Sequence, residues 1–182
     1  MLTEKPAYRR FPKVPIERRA SAFLIDFVSV WLVSSIASGN SFLQLLVFIF
    51  AWLVLRVLVV ERNQGQSLGR WALDMKVIDI RFNKIPGLVS LAKREGLLGF
   101  AAFLAMIGLN INFRNGISML LLVSPLLADC GVALADEQMS QAFHDRIANT
   151  IVVQTRRGFS LDLRLKKWRD LVLDQLQRNM RQ

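Results

Sequence analysis

The chain has 182 residues, of which 53% are hydrophobic, and it carries a formal net charge of +10 at pH 7. A composition this apolar argues against a soluble enzyme, and together with the positive charge it favours a membrane protein with basic ends. The single cysteine, Cys130, lies in an apolar run, which excludes a disulfide framework or a thiolate metal site.

Four apolar stretches approach the length of about 20 helical residues that is needed to cross a bilayer. They predict spans at 20–37, 42–60, about 90–111 and 117–135. The first two are separated only by a four-residue turn, which predicts a tight hairpin, and Pro125 predicts a kink in the fourth. The predicted fold is therefore an all-α membrane protein, a bundle of four transmembrane helices.

The distribution of Lys and Arg predicts the orientation of these spans. The tail 1–19 contains six, the stretch from Arg62 to Arg94 seven, and the stretch from Arg146 to Arg181 nine, whereas the turn after the first span has none and the turn after the third only Arg114. Both termini and the central loop are thus predicted to be cytoplasmic. The expected division is a basic tail 1–19, a membrane domain 20–155 and a basic C-terminal segment 156–182.

Gly65, Ser67 and Gly69 match the G-x-S-x-G pattern of a hydrolase nucleophile elbow. The order Ser67, Asp129, His144 would also suit a catalytic triad, but Asp129 lies in the fourth span and no segment supplies the sheet that such an elbow requires. The preferred interpretation is that the two glycines form a turn and that Ser67 caps the short helix that follows. We therefore do not expect an enzyme.

Three stretches together resemble the signature regions of the RDD family of membrane proteins, named for an Arg and two Asp. They are RRASAFLID (18–26), GQSLGRWALDMKVID (65–79) and FHDRIANTIVV (143–153), and the resemblance extends over about residues 16–155. It implies that Arg19 and Asp26 are the signature Arg and the first Asp. The second Asp is Asp145 or, as the alternative, Asp79.

The resemblance implies transport of a small solute, and for some members exchange of sodium for protons. Such an exchanger needs an intramembrane carboxylate that alternates between a proton and a cation, and Asp26 or Asp129 would fill that role. The alternative is that these acids pair with arginines and hold helices together. The protein would then be a non-catalytic accessory or assembly factor of a larger membrane complex, and a homo-oligomer is also compatible with transport.

The intramembrane charges are predicted to share one layer. Asp26, Arg56 and Asp129 all lie roughly 6–9 Å from the cytoplasmic ends of their spans, given a rise of 1.5 Å per residue. We expect Arg56 to point towards Asp26, with Asp129 or Arg19 completing the network. The alternative is that Arg56 reaches out to lipid phosphates while Asp26 pairs with Arg19 alone.

Two short segments rich in β-branched residues, KVIDI (76–80) and TIVVQ (150–154), predict a small cytoplasmic ribbon of two strands supported by the helix around Trp71. The segment 156–182 predicts an amphipathic helix that lies on anionic cytoplasmic lipids, packs on its own domain or grips a partner.

Metal and cofactor chemistry is not expected. His144 is the single histidine, and with the adjacent Asp145 it provides too few ligands for a metal site; it is predicted to fix a turn by hydrogen bonds. The basic residues are explained by orientation in the membrane, so nucleic-acid binding is not expected either.

Overall fold

The computed structural model of the chain describes residues 14–110, 116–136 and 139–155, together with a few positions between 160 and 171. The part described is mostly helical, with one small two-stranded sheet. Most of the predicted C-terminal helix and of the basic tail lies outside the described residues.

Long helices lie at all four predicted positions. The first is α1, Ile16–Ser35. The second runs from Ser41 to Arg62 and consists of α2 (Ser41–Leu53), a π-helical turn (Val54–Leu58) and α3 (Val59–Arg62). The other two are α5 (Leu88–Asn110) and α6 (Gly116–Ala135), while α4 (Leu68–Ala72) and α7 (Phe143–Ile147) are short.

Two of these helices, Ser41–Arg62 and Gly116–Ala135, are long and apolar enough to cross a membrane. Helices α1 and α5 are similarly long, but charged residues interrupt them: Arg18, Arg19 and Asp26 in α1, and Lys93, Arg94 and Glu95 in α5. By length and composition, the structure thus supports two candidate membrane helices within its described residues, fewer than the four expected.

The predicted hairpin between the first two helices is present, and it packs around aromatic rings. The side-chain oxygen of Asn40 accepts hydrogen bonds from the backbone N–H groups of Phe42 and Leu43, at 3.0 and 3.2 Å, and so caps α2. Below the turn, the ring centroid of Phe48 lies 6.3 Å from that of Phe27 and 5.8 Å from that of Trp52. Small and aliphatic residues of α5 complete this core: Leu98, Ala102, Ala105 and Met106.

The two predicted strands form the expected ribbon. Strand β1 (Met75–Asp79) pairs antiparallel with β2 (Thr150–Gln154), so that Val77 lies opposite Val152. One face of the ribbon packs with Ala22 and Ile25 of α1, because Met75, Val77 and Val152 point towards that helix. Trp71 gives less support than expected, since its side chain is half exposed.

The two glycines of the G-x-S-x-G stretch have different functions. Gly65 has a φ of +85° in the turn after α3, and a Cβ there would lie 2.5 Å from the carbonyl oxygen of Val77. Gly69 is not in the turn, contrary to the prediction, but lies within α4, where a Cβ would come 2.0 Å from the carbonyl oxygen of Ala22. The absence of a side chain at Gly69 thus lets α4 lie directly on the backbone of α1.

We expect Gly69→Ala to destabilise the protein strongly, because the added methyl group overlaps a backbone atom that cannot rotate away. The predicted loss is about 3 kcal/mol or more, which corresponds to a fall of about 6–12 °C in the unfolding midpoint in detergent. Gly96→Ala, inside α5 with no atom within 4 Å of the new Cβ, is the matched control and should leave the midpoint unchanged or raise it slightly. Equal midpoints for the two variants would show that the close contact between α4 and α1 is not required.

Candidate functional site

Asp26 occupies the centre of a hydrogen-bonded site at the middle of α1, where it is fully buried. One carboxylate oxygen accepts from Nη1 of Arg56 and from the Ser67 hydroxyl, each at 2.6 Å. The other accepts from the backbone N–H of Gly69 at 2.7 Å. The expected contact between Arg56 and Asp26 is therefore present, and the polar part of the G-x-S-x-G stretch serves to bind this carboxylate.

Arg56 projects from the π-helical turn into the protein, where 2% of its surface is exposed. Its Nε and Nη2 atoms bind the two carboxylate oxygens of Glu95 side-on, at 2.8 and 3.3 Å. The guanidinium carbon also lies 5.1 Å from the ring centroid of Trp52 and 5.8 Å from that of Phe23. Arg56 thus joins α1 to α5, and its side chain is enclosed by the protein rather than reaching out from its surface.

Glu95 is the acceptor for more than one arginine, and sequence reasoning missed it. Besides Arg56, it pairs with Nη2 of Arg70 at 3.0 Å and lies 3.8 Å from Nη1 of Arg94. Arg70 and Arg94 were counted only among the basic residues that predict the orientation in the membrane, and both are buried. The available signal was the Arg94–Glu95 pair directly before an apolar run, which is an unusual place for two charges unless both are neutralised.

Asp145, on α7, pairs with two other arginines, Arg94 and Arg19. Nη2 of Arg94 lies 2.7 Å from it, and Arg19 of α1 forms a second ion pair with it. Arg19 also donates to the backbone carbonyl of Ser140. The expectation that Arg19 would join Asp26 is therefore wrong, because Arg19 points towards the loop before α7 rather than along its own helix.

The environment of Asp145 keeps its carboxyl group ionised. Burial by itself would raise the pKa of Asp145, but the neighbouring Arg94 and Arg19 outweigh burial and hold that pKa well below its ordinary value. A carboxylate that stays ionised while fully buried must keep its cationic partners. Asp145 consequently fixes α7 to α1 and α5.

Asp129 belongs to a separate branch of the site. It accepts from Nδ1 of His144 at 2.6 Å and from the His144 backbone N–H at 3.1 Å. The other ring nitrogen, Nε2, lies 3.3 Å from Nη2 of Arg94, an arrangement that fits an imidazole with its proton on Nδ1. Asp129 or Arg19 was expected to complete the network of Asp26 and Arg56, and Asp129 joins the rest of the site through His144.

These residues form one continuous arrangement, called here the charge cluster. Four arginines and four acids belong to it, together with His144: Arg19, Arg56, Arg70, Arg94, Asp26, Glu95, Asp129 and Asp145. The equal number of opposite charges allows the cluster to be buried, because an unpaired ion in the interior would cost several kcal/mol. Among the described residues, no group of three or more His, Cys, Asp or Glu side chains is arranged to hold a metal ion.

Asp79, the alternative for the second signature Asp, lies outside the charge cluster. Its carboxylate accepts from the backbone N–H groups of Arg81 and Phe82, at 2.8 and 3.4 Å, in the turn after β1. The geometry therefore places Asp145, rather than Asp79, in contact with Arg19.

Ser67 caps α4, as predicted, by accepting a hydrogen bond from the backbone N–H of Arg70 at 3.5 Å.

Two helices that are apolar and long enough to cross a bilayer, together with the family reported next, suggest a membrane protein. The sequence profile of the RDD family matches residues 14–149, and the chain belongs to this family, whose domains are commonly membrane-associated. The matched region contains every member of the charge cluster. No curated protein and no solved structure matches the chain.

We expect Asp26→Asn and Arg56→Gln to be strongly coupled in a double-mutant cycle. Each single change leaves a buried charge without one of its partners and should cost about 3 kcal/mol, whereas the double variant should lose about 1–3 kcal/mol less than the sum. The measurement is the unfolding midpoint of the purified protein in detergent.

The control cycle uses Arg146 and Asp136, whose charged atoms lie 3.3 Å apart with Arg146 half exposed. Coupling there should be no more than about 1 kcal/mol, because water screens the pair. Additive losses for Asp26 and Arg56 would contradict the importance of their contact.

Proposed function

We propose that the protein crosses the membrane four times, with both termini and the central loop in the cytoplasm. Helices α1 and α5 have 20 and 23 residues, enough to accompany the two apolar helices through a bilayer. Their buried charges are paired with opposite charges, which removes the main objection to placing these helices in a membrane. The positions of the basic segments support this orientation.

Within the membrane we propose an accessory role, in which the protein binds and positions a partner in a larger membrane complex without performing catalysis. The observation that carries this proposal is that Asp26, Glu95 and Asp145 are each already held by at least one arginine. A sodium/proton exchanger needs a carboxylate that can release its present partner and take up a cation. Arginines in fixed contact with these acids compete with any cation that would enter.

The distribution of apolar surface also supports binding of a partner. Helix α6 packs mainly on α5, and its leucines are largely exposed on its other sides, as Leu120, Leu121 and Leu134 illustrate. On the proposed cytoplasmic side, Trp71 and Phe82 are also well exposed. Within the membrane, the exposed leucines of α6 can pack against lipid or against the helices of a partner. The exposed aromatic rings beside the ribbon are typical of a surface that binds another protein.

Transport of a small solute is the second candidate function. It is favoured by a cavity of about 220 Å³ that reaches Arg70 and Arg94 of the charge cluster from the side of α6. Cation exchange fits this cavity poorly, because arginines rather than free carboxylates line it. Of the two candidates, accessory binding requires no movement of the cluster.

The four-span topology can be tested with single cysteines in a Cys130→Ser background. Cysteines at Gly39 and Gly116, each with open space around it, should react with a membrane-impermeant maleimide added outside intact cells. A cysteine at Lys84, in the turn after β1, should react only after the membrane is permeabilised. Outside labelling at Lys84 would contradict the topology.

The accessory role predicts that the full chain, extracted in mild detergent, is recovered in a stoichiometric complex with another membrane protein. Mass spectrometry of the purified material identifies the components and their ratio. Proteoliposomes containing the chain alone should show sodium flux no greater than protein-free vesicles. A homo-oligomer with sodium flux that Asp26→Asn abolishes would overturn the accessory role in favour of transport.

A further inference from the structure

The cavity beside the charge cluster has a polar floor and apolar walls. It lies between α1, α5 and α6, and its wall includes Phe23, Leu98 and Leu126. Helices α1 and α6 barely contact each other, so the cavity separates them. At its rim, Leu24 on α1 and Leu127 on α6 are 59% and 58% exposed, so the opening faces the apolar surface of the helices.

Two arginines that line this cavity have donors that are not used by the described part of the chain. Nη1 of Arg70, and Nε and Nη1 of Arg94, are buried without a hydrogen-bond acceptor there. Both side chains are almost fully buried, at 4% and 2% exposure. Buried cationic donors are normally satisfied, so these atoms indicate a missing acceptor.

The charges that face the cavity are predominantly positive, although the charge cluster as a whole is balanced. Arg19, Arg56, Arg70 and Arg94 line it, whereas Asp129, which His144 already binds, is the only carboxylate of its lining among the residues that the structure describes. The remaining acids of the cluster lie behind the arginines. Burial is the largest cause, and repulsion from Arg56 and Arg94 the next, of a pKa of Arg70 that is lowered to about 9. A further negative charge in the cavity would therefore stabilise the protonated form of Arg70.

We propose that the cavity binds the phosphate headgroup of an anionic membrane lipid that enters sideways between α1 and α6. The arginines that line the cavity would repel the choline cation of a zwitterionic phospholipid. The phosphate oxygens would accept hydrogen bonds from Arg70 and Arg94. The hydrocarbon chains would extend out of the cavity between Leu24 and Leu127. Inorganic phosphate offers the same acceptor, but the apolar walls and the rim that opens on the helix surface favour a lipid. The inference depends on a membrane setting, not on the accessory role, and the topology experiment tests that setting separately.

Cys130 provides the reporter, because it is the only cysteine of the chain and it lines the cavity. The full chain in detergent micelles is reacted with N-ethylmaleimide in the presence of phosphatidic acid, phosphatidylcholine or inorganic phosphate. Phosphatidic acid should slow the labelling of Cys130 at least about tenfold more than phosphatidylcholine does, as a charge-assisted hydrogen bond would predict. A Cys130→Ser, Gly39→Cys variant, whose thiol lies far from the cavity in the hairpin turn, should react equally fast with every addition.

Two substitutions separate the headgroup contact from the fold. Arg70→Gln should remove most of the preference for phosphatidic acid, while Glu95 keeps Arg56 as its partner. Leu127→Trp, at the rim, should abolish protection with an unchanged unfolding midpoint. Leu120→Trp, two turns away on the same helix and also exposed, is the matched control and should retain protection.

The expected result is that phosphatidic acid protects Cys130 in the unchanged chain and in Leu120→Trp. Arg70→Gln and Leu127→Trp should both lose this protection. Equal protection by phosphatidic acid and phosphatidylcholine would overturn the proposed binding of an anionic headgroup. Equal protection by inorganic phosphate and phosphatidic acid would overturn the lipid as the occupant, since the hydrocarbon chains would then contribute nothing.

Discussion

The ion pairs of Arg56 with Asp26 and Glu95 are the interaction on which the rest of the structure depends. The three residues come from α1, the π-helical turn and α5, and all are buried. A charge that is removed from water must be compensated within hydrogen-bonding distance, so helices that carry such charges can pack only where the partners meet. This requirement fixes the rotation of each helix about its own axis and thereby decides which apolar residues form the core.

The G-x-S-x-G stretch depends on the same requirement. Asp26 accepts from the Ser67 hydroxyl and the Gly69 N–H in addition to Arg56, so its carboxylate is nearly saturated with donors. Gly69 can approach because it has no Cβ to meet the backbone of α1. A pattern that resembles a catalytic motif thus serves to bury a carboxylate, since the serine hydroxyl donates a hydrogen bond to Asp26.

The charge cluster has two different faces, and they suggest different roles. Towards the helices, its acids are enclosed by arginines, which favours a rigid structural function. Towards the cavity, Arg70 and Arg94 present unused donors next to apolar walls. Binding of an anionic lipid at the second face would leave the first unchanged, so an accessory role and lipid binding are compatible in one molecule.

The sequence by itself determined the four long helices, the hairpin turn, the pairing of the two strands and the contact between Arg56 and Asp26. These features follow from local patterns: lengths of apolar runs, β-branched residues, and two charges at similar depth in adjacent helices. It also determined the family, because the signature stretches are contiguous in the chain.

For the charges other than Arg56 and Asp26, only the tertiary structure decided which of them share a site. Arg19 and Asp145 are separated by 126 positions, and Arg56 and Glu95 by 39. Whether such residues meet depends on how the helices rotate and cross, and the π-helical turn changes that rotation at Arg56. The same reason explains why Arg70 and Arg94 are buried, although they belong to a basic stretch of the sequence. Their positions are fixed by the packing of α4 against α1 and of α5 against the π-helical turn, and this packing cannot be read from a local sequence pattern.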